Sequence, residues 1–142
     1  SIDPCNVAGM ILIDAAPENK EIYFQEVLTD EHIVKIKKYL ENPDLNSERI
    51  DKIKTYNQID RYKRQFNFPI TIIIRGLAQC YGSSWPEEKL LKVEQRLQLD
   101  FKKMSKTSKI IIARNSSHYI HNDEPQLIIK EIMEMINIIN SE

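Results

Sequence analysis

The side chains of this 142-residue chain that could move protons or attack a substrate are few. They are His32, His118 and His121, the thiols Cys5 and Cys80, and whichever carboxylates the fold sets beside them. His118 stands out by its place. It sits on the stretch Arg114-Asn115-Ser116-Ser117-His118, directly after the β-branched run Lys109-Ile110-Ile111-Ile112-Ala113. Asp14 stands in the same relation to the apolar run Val7 to Ile13. A base that takes a proton from a nucleophile needs a carboxylate to orient it, so a histidine and an aspartate at two strand ends are the natural pair to examine. A nucleophile of the Gly-x-Ser-x-Gly kind is absent. Gly82-Ser83-Ser84-Trp85 holds the only Gly-Ser pair and reads as a polar loop ahead of a helix at Pro86.

Three strands are expected to position these groups. Val7 to Ile13, Phe68 to Gly76 and Lys109 to Arg114 are short, apolar and without alternation, as in strands buried on both faces of a parallel sheet. Helices are expected between them. Thr29 is placed to cap one that carries Ile33, Ile36 and Leu40 and ends at Asn42-Pro43. Ser47 is placed to cap a second, with Ile50, Ile53, Tyr62 and Phe66 on its apolar side. Pro86 opens a third, with Leu90, Val93, Leu97 and Phe101 on one face, and Pro125 a fourth, with Ile128, Ile132, Met135, Ile136 and Ile139. Strands alternating with helices give an α/β fold, here a three-stranded parallel sheet with flanking helices. Ligands of such sheets bind beyond the carboxyl ends of the strands, which are the segments 14–18, 76–85 and 114–123.

Composition narrows the function classes. Lys and Arg number 20 and Asp and Glu 21, a formal charge of −1, which argues against a domain built to grip nucleic acid or an anionic membrane. With 42% apolar and 29% charged residues the chain is globular in composition, and 3 glycines exclude Gly-rich phosphate loops. No apolar run approaches the roughly 20 residues that a bilayer span needs. Cys5 precedes the first strand and Cys80 follows the second. In parallel neighbours this places them about 20 Å apart, against the about 7 Å that a disulfide allows. Both thiols are therefore expected to be free, in a reducing, cytoplasmic compartment. A zinc site from Cys80, His118 and His121 lacks further ligands at suitable spacing, and no cofactor is implied. His32 reads as a surface group, His121 as a solvated group or one supporting its neighbours, and Asp123 as a cap for the last helix.

The segment Ser117-His118-Tyr119-Ile120-His121-Asn122-Asp123-Glu124-Pro125, running into an amphipathic helix, resembles the catalytic-histidine segment of the α/β-hydrolase superfamily, with Ser117 where that family usually has Gly. Val7 to Pro17 resembles the family's sixth strand, Pro69 to Gly76 its seventh, and Leu97 to Ser105 the helix leading to its eighth. The resemblance covers most of this chain but only the C-terminal half of the family's fold. It implies one partial domain over 1–142, with a cap-like helical crossover at 18–67 and the last strands and helices at 68–142. It further implies that Ser1 follows shortly after the nucleophile-elbow helix of a longer parent.

On that resemblance His118 is the triad base. Asp14 is the candidate for the acid, because 76–86 holds no Asp or Glu, with Glu18 a weaker choice. Tyr23, Phe24, Tyr39, Tyr56, Tyr62 and Trp85 are the aromatics that a cap would offer to a pocket. The function implied is the C-terminal portion of a hydrolase of ester or related small-molecule bonds, with a small-molecule substrate and the nucleophile outside these residues. The alternative is a non-catalytic α/β module whose open sheet edge associates with a second copy or with a missing N-terminal half.

Overall fold

The computed structural model describes residues 6–45, 49–61, 65–80, 82 and 84–141. Its strands are β1 (Met10–Ile13), β2 (Ile70–Arg75) and β3 (Ser108–Ala113). Its helices are α1 (Lys20–Phe24), α2 (Asp30–Glu41), α3 (Lys52–Arg61), α4 (Glu87–Leu99), α5 (Ile120–Asp123) and α6 (Pro125–Ser141). The strands lie in the order β1-β2-β3, and both pairings are parallel. This is the expected sheet, although β1 is shorter than the apolar run that announced it and is only partly buried.

Paired residues of a parallel sheet point to the same face, so the register sorts the side chains. Met10 pairs with Ile70, Leu12 with Ile72, and Ile72 with Ile110. These face the crossover side, where Ile70, Ile72 and Ile74 cluster with Met10, Leu12, Phe101 and Met104. Beyond them Phe24, Ile36, Leu40, Leu90 and Val93 join α1, α2 and α4 in a second cluster. On the opposite face Ile73 and Ala113 pack with Ile11, Ile120, Leu127 and Ile128. Burying an isoleucine side chain contributes about 1.5–3 kcal/mol, so the fully buried Ile70, Ile72, Ile73 and Ile74 make β2 the spine of the fold.

Local sequence explains most of the boundaries. Glu87 and Glu88 occupy the first turn of α4, where acidic groups suit the helix dipole. Asn42 ends α2, its side chain accepting the Asp44 amide at 3.0 Å. Gly76 turns the chain out of β2 at a close crossing. Its amide donates to Ala113 O at 2.7 Å and Ser116 O at 3.2 Å, and a Cβ there would sit 2.5 Å from Arg114 Cα.

Several expectations are corrected. Thr29 precedes α2 but makes no side-chain cap; its hydroxyl meets His32 Nδ1 at 3.0 Å. His32 is buried rather than on the surface, its ring 4.3 Å from that of Trp85. Phe66, expected on a helix, forms a parallel bridge with Ser105. Ser47, Tyr62 and Cys5 lie outside the described residues. On α6 the core stripe is Ile128, Glu131 and Met135, whereas Ile132 and Ile136 are exposed together with Ile129 and Met133. Those four recur at i, i+3, i+4 and i+7 and form a second apolar stripe beside the core one. Lys109 of β3 binds Glu131 at 2.6 Å and also Glu134, while Gly9, just before β1, abuts Met135 and Ile139. The exposed stripe therefore lies on the β1 side of the helix, next to the edge of β1 that bears no strand among the described residues. Among the described residues no helix is long and apolar enough to cross a membrane.

Candidate functional site

The carboxyl ends of the three strands meet at Asp14. Its backbone has φ 42°, a left-handed conformation that few residues other than Gly adopt and that Asp tolerates better than most. Its amide donates to Ile73 O at 2.8 Å, which holds it at the end of the β1–β2 ladder. The turn aims the carboxylate inward, and the Asp14 side chain is only 1% exposed. His118 Nδ1 lies 2.7 Å from Asp14 Oδ2, and the ring is 48% exposed on its other side. A carboxylate only accepts, so Nδ1 carries the proton, and in the neutral imidazole the lone pair is on Nε2.

The loop bearing His118 is fastened at several points. Ser116 is fully buried, its hydroxyl donating to Glu124, whose carboxylate also accepts the Asn115 amide at 3.1 Å. The Ser116 carbonyl accepts from Gly76 and Leu77. Asp123 does not cap α6. It accepts from the Ser117 amide at 2.8 Å and the Ser117 hydroxyl at 2.9 Å, and these bonds hold its carboxyl below the usual range. His121 lies one turn further on, edge-on to Tyr119, and does not face Asp14.

Behind the pair lies a buried network that the sequence did not announce. Gln98 Nε2 donates to Asp14 Oδ1 and to Ala15 O, both at 3.0 Å. Arg75 Nη1 reaches Asp14 Oδ2 and Gln79 Oε1, each at 3.4 Å, while Nη2 grips Glu94. Lys20 Nζ closes the chain on Glu94 Oε1 at 3.0 Å. Buried charges of this kind stand only when paired. Arg75, which ends a strand otherwise made of Ile and Thr, was the one signal for this network in the sequence.

Three of the aromatics that a cap would offer have other roles. Phe24 is in the core and Trp85 packs beside it, while Tyr56 donates to the buried Glu21. Burial pushes the Glu21 carboxyl upward, but its bonds to Lys52 and Tyr56 outweigh that and leave it lowered. Glu18 lies in the loop before α1. Cys80 is exposed and in no disulfide, and the described residues include no group of His, Cys, Asp or Glu arranged to hold a metal ion.

This arrangement can hold an imidazole in one tautomer with its free nitrogen toward solvent, the geometry of a general base awaiting a hydroxyl or thiol. No family model, curated protein or solved structure matches this chain.

Proposed function

We propose that this chain carries the base and the orienting acid, His118 and Asp14, of a hydrolase acting on ester or related small-molecule bonds, with the nucleophile on sequence outside these 142 residues. The observation that carries the reading is the 2.7 Å contact between Asp14 and His118, brought together from positions 104 apart in the chain. Three features support it. Both residues stand at the carboxyl ends of parallel strands, the carboxylate is buried, and the imidazole is open on the side away from it. The likeness of the His118–Pro125 segment to the α/β-hydrolase histidine motif gives the reaction class, with the carboxylate offered from the first of the three strands.

The test begins with the gene. A reading frame running into the Ser1 codon through a strand, Gly-x-Ser-x-Gly and a helix is the expected result. The full product should hydrolyse short p-nitrophenyl esters, with His118→Ala and Asp14→Asn lowering kcat by about 10⁴. A full product that is active with His118→Ala overturns the reading.

The exposed stripe of α6, beside the edge of β1 that bears no strand among the described residues, favours a second reading, in which this face associates with another chain. Open parallel edges and exposed apolar stripes both invite association. Sedimentation of the 142-residue chain distinguishes the two. A self-associating chain with no hydrolytic parent supports the module, and a monomer argues against it.

A further inference from the structure

We propose that Glu94 is a positioning residue for His118: it holds the Arg75 guanidinium away from the Asp14 oxygen that His118 uses. The inference rests on the Asp14–His118 pair of the proposed function and extends it to a group that touches neither member.

The geometry is a competition for one atom. His118 Nδ1 and Arg75 Nη1 both address Asp14 Oδ2, at 2.7 and 3.4 Å. Asp14 Oδ1 is occupied by Gln98 at 3.0 Å, so the carboxylate cannot swing to serve both. A guanidinium is the stronger partner for a carboxylate, since it is permanently charged and binds through two parallel N–H groups. It nonetheless sits at the longer distance, because Nη2 is taken by Glu94 on α4.

Arg75 is also under-bonded. Its Nε is buried without an acceptor among the described residues, and Nη1 is split between two oxygens at 3.4 Å. Such a group moves toward Asp14 if its anchor is lost. The charged groups around the pair are Arg75 from β2, Glu94 from α4 and, through Glu94, Lys20 from α1, with the Tyr119 ring tilted against that of His118 at 5.1 Å. Lys20 binds the other oxygen of the same carboxylate, Glu94 Oε1, and so shares the anchor with Arg75. Removing Glu94 and removing Lys20 should therefore act on Arg75 in opposite senses.

The test reads the hydrogen-bonded Nδ1 proton of His118 by NMR on the 142-residue chain, through its downfield shift and its exchange with solvent. In the wild type the proton is expected downfield and protected, and Asp14→Asn should abolish it. Glu94→Gln should move it upfield and speed its exchange about tenfold, as one charge-assisted bond weakens toward a neutral one. Lys20→Met should leave it in place or further downfield. The double variant Arg75→Gln/Glu94→Gln, which removes the competitor with its anchor, should restore it.

An unchanged proton in Glu94→Gln, or no recovery in the double variant, overturns the proposal. If Glu94→Gln does not fold, the signal must still be present in the double variant and in Lys20→Met, and its loss from either is decisive. Absence of the protected proton in the wild type, or its persistence in Asp14→Asn, refutes the pairing itself and with it the reading of the site.

Discussion

Replacing Gly76 by Ala should strike the fold and the site together. An alanine Cβ at this position meets backbone alone: Arg114 Cα at 2.5 Å, Ala113 O at 2.7 Å and Arg114 C at 2.8 Å. Restoring ordinary contact near 3.4 Å requires the exit of β2 and the loop after β3 to part by most of an ångström. Overpacking costs about 1–3 kcal/mol, and a rigid backbone neighbour puts this site at the upper end. The Gly76 amide would also lose its bonds to Ala113 and Ser116, at about 1 kcal/mol each. A total of about 5 kcal/mol corresponds to a fall in Tm of about 15 °C for a chain of this size. The loop that moves carries Ser116, Ser117 and His118, so the protected Nδ1 proton of His118 should weaken as well. Gly82→Ala is the control. It meets nothing within 4 Å but has φ 111°, so strain alone should cost about 1–2 kcal/mol without touching His118. A circular-dichroism melt within 2 °C of wild type for Gly76→Ala would refute the reasoning.

Four further outcomes are expected. Ile73→Ala, at a fully buried position between β1, β3 and α6, should cost about 2–5 kcal/mol in urea unfolding. Glu124→Leu removes the acceptor of the Ser116 hydroxyl and Asn115 amide and should speed amide exchange at Asn115 about tenfold, with β2 unaffected. Glu21 has a lowered carboxyl, so its contribution is fully present above its ordinary value of 4.5 and is lost as pH falls through the lowered folded value. Acid titration followed at Lys52 and Tyr56 should show α1 and α3 parting at that end of the scale, and Glu21→Gln should remove the dependence. Ile132→Lys with Ile136→Glu, both exposed on α6, should change stability by no more than about 0.5 kcal/mol while abolishing any self-association seen by sedimentation.

How far the residues announced the structure follows from which forces are local. Ile70 to Ile74 and Ile110 to Ile112 are β-branched runs with no charge to interrupt them, and they form the strands expected of them. The spacing of Ile36 and Leu40 and the break at Asn42-Pro43 likewise marked α2. His32 read as a surface group, and nothing in the sequence singled out Glu94 or Gln98, because periodicity assigns a polar residue to solvent unless a partner is known. Their partners are remote: Arg75 and Lys20 for Glu94, Asp14 for Gln98, and Trp85 for His32. The same limit applies to α6. Its sequence is apolar on two stripes, and only the position of one helix over a three-stranded sheet decides which is covered. The closeness of Asp14 and His118 was legible because Asp14 directly follows one apolar run and the His118 loop follows another, where a parallel sheet gathers its strand ends. Asp123 was misplaced because a cap for the helix after it and a clasp for the turn before it need the same residue type.

The placement of Asp14 on β1 has a consequence in time. β1 is the shortest of the three strands, holds no fully buried residue and has one neighbour, β2, among the described residues. Segments with few buried contacts open while the rest of a molecule stays closed. Each excursion of β1 takes the carboxylate with it, yet His118 stays where Gly76, Ser116 and Glu124 fasten its loop to β2 and α6. The lifetime of the oriented imidazole is thus the closed lifetime of a four-residue strand. Whatever lies along the free edge of β1 would lengthen it without approaching the histidine.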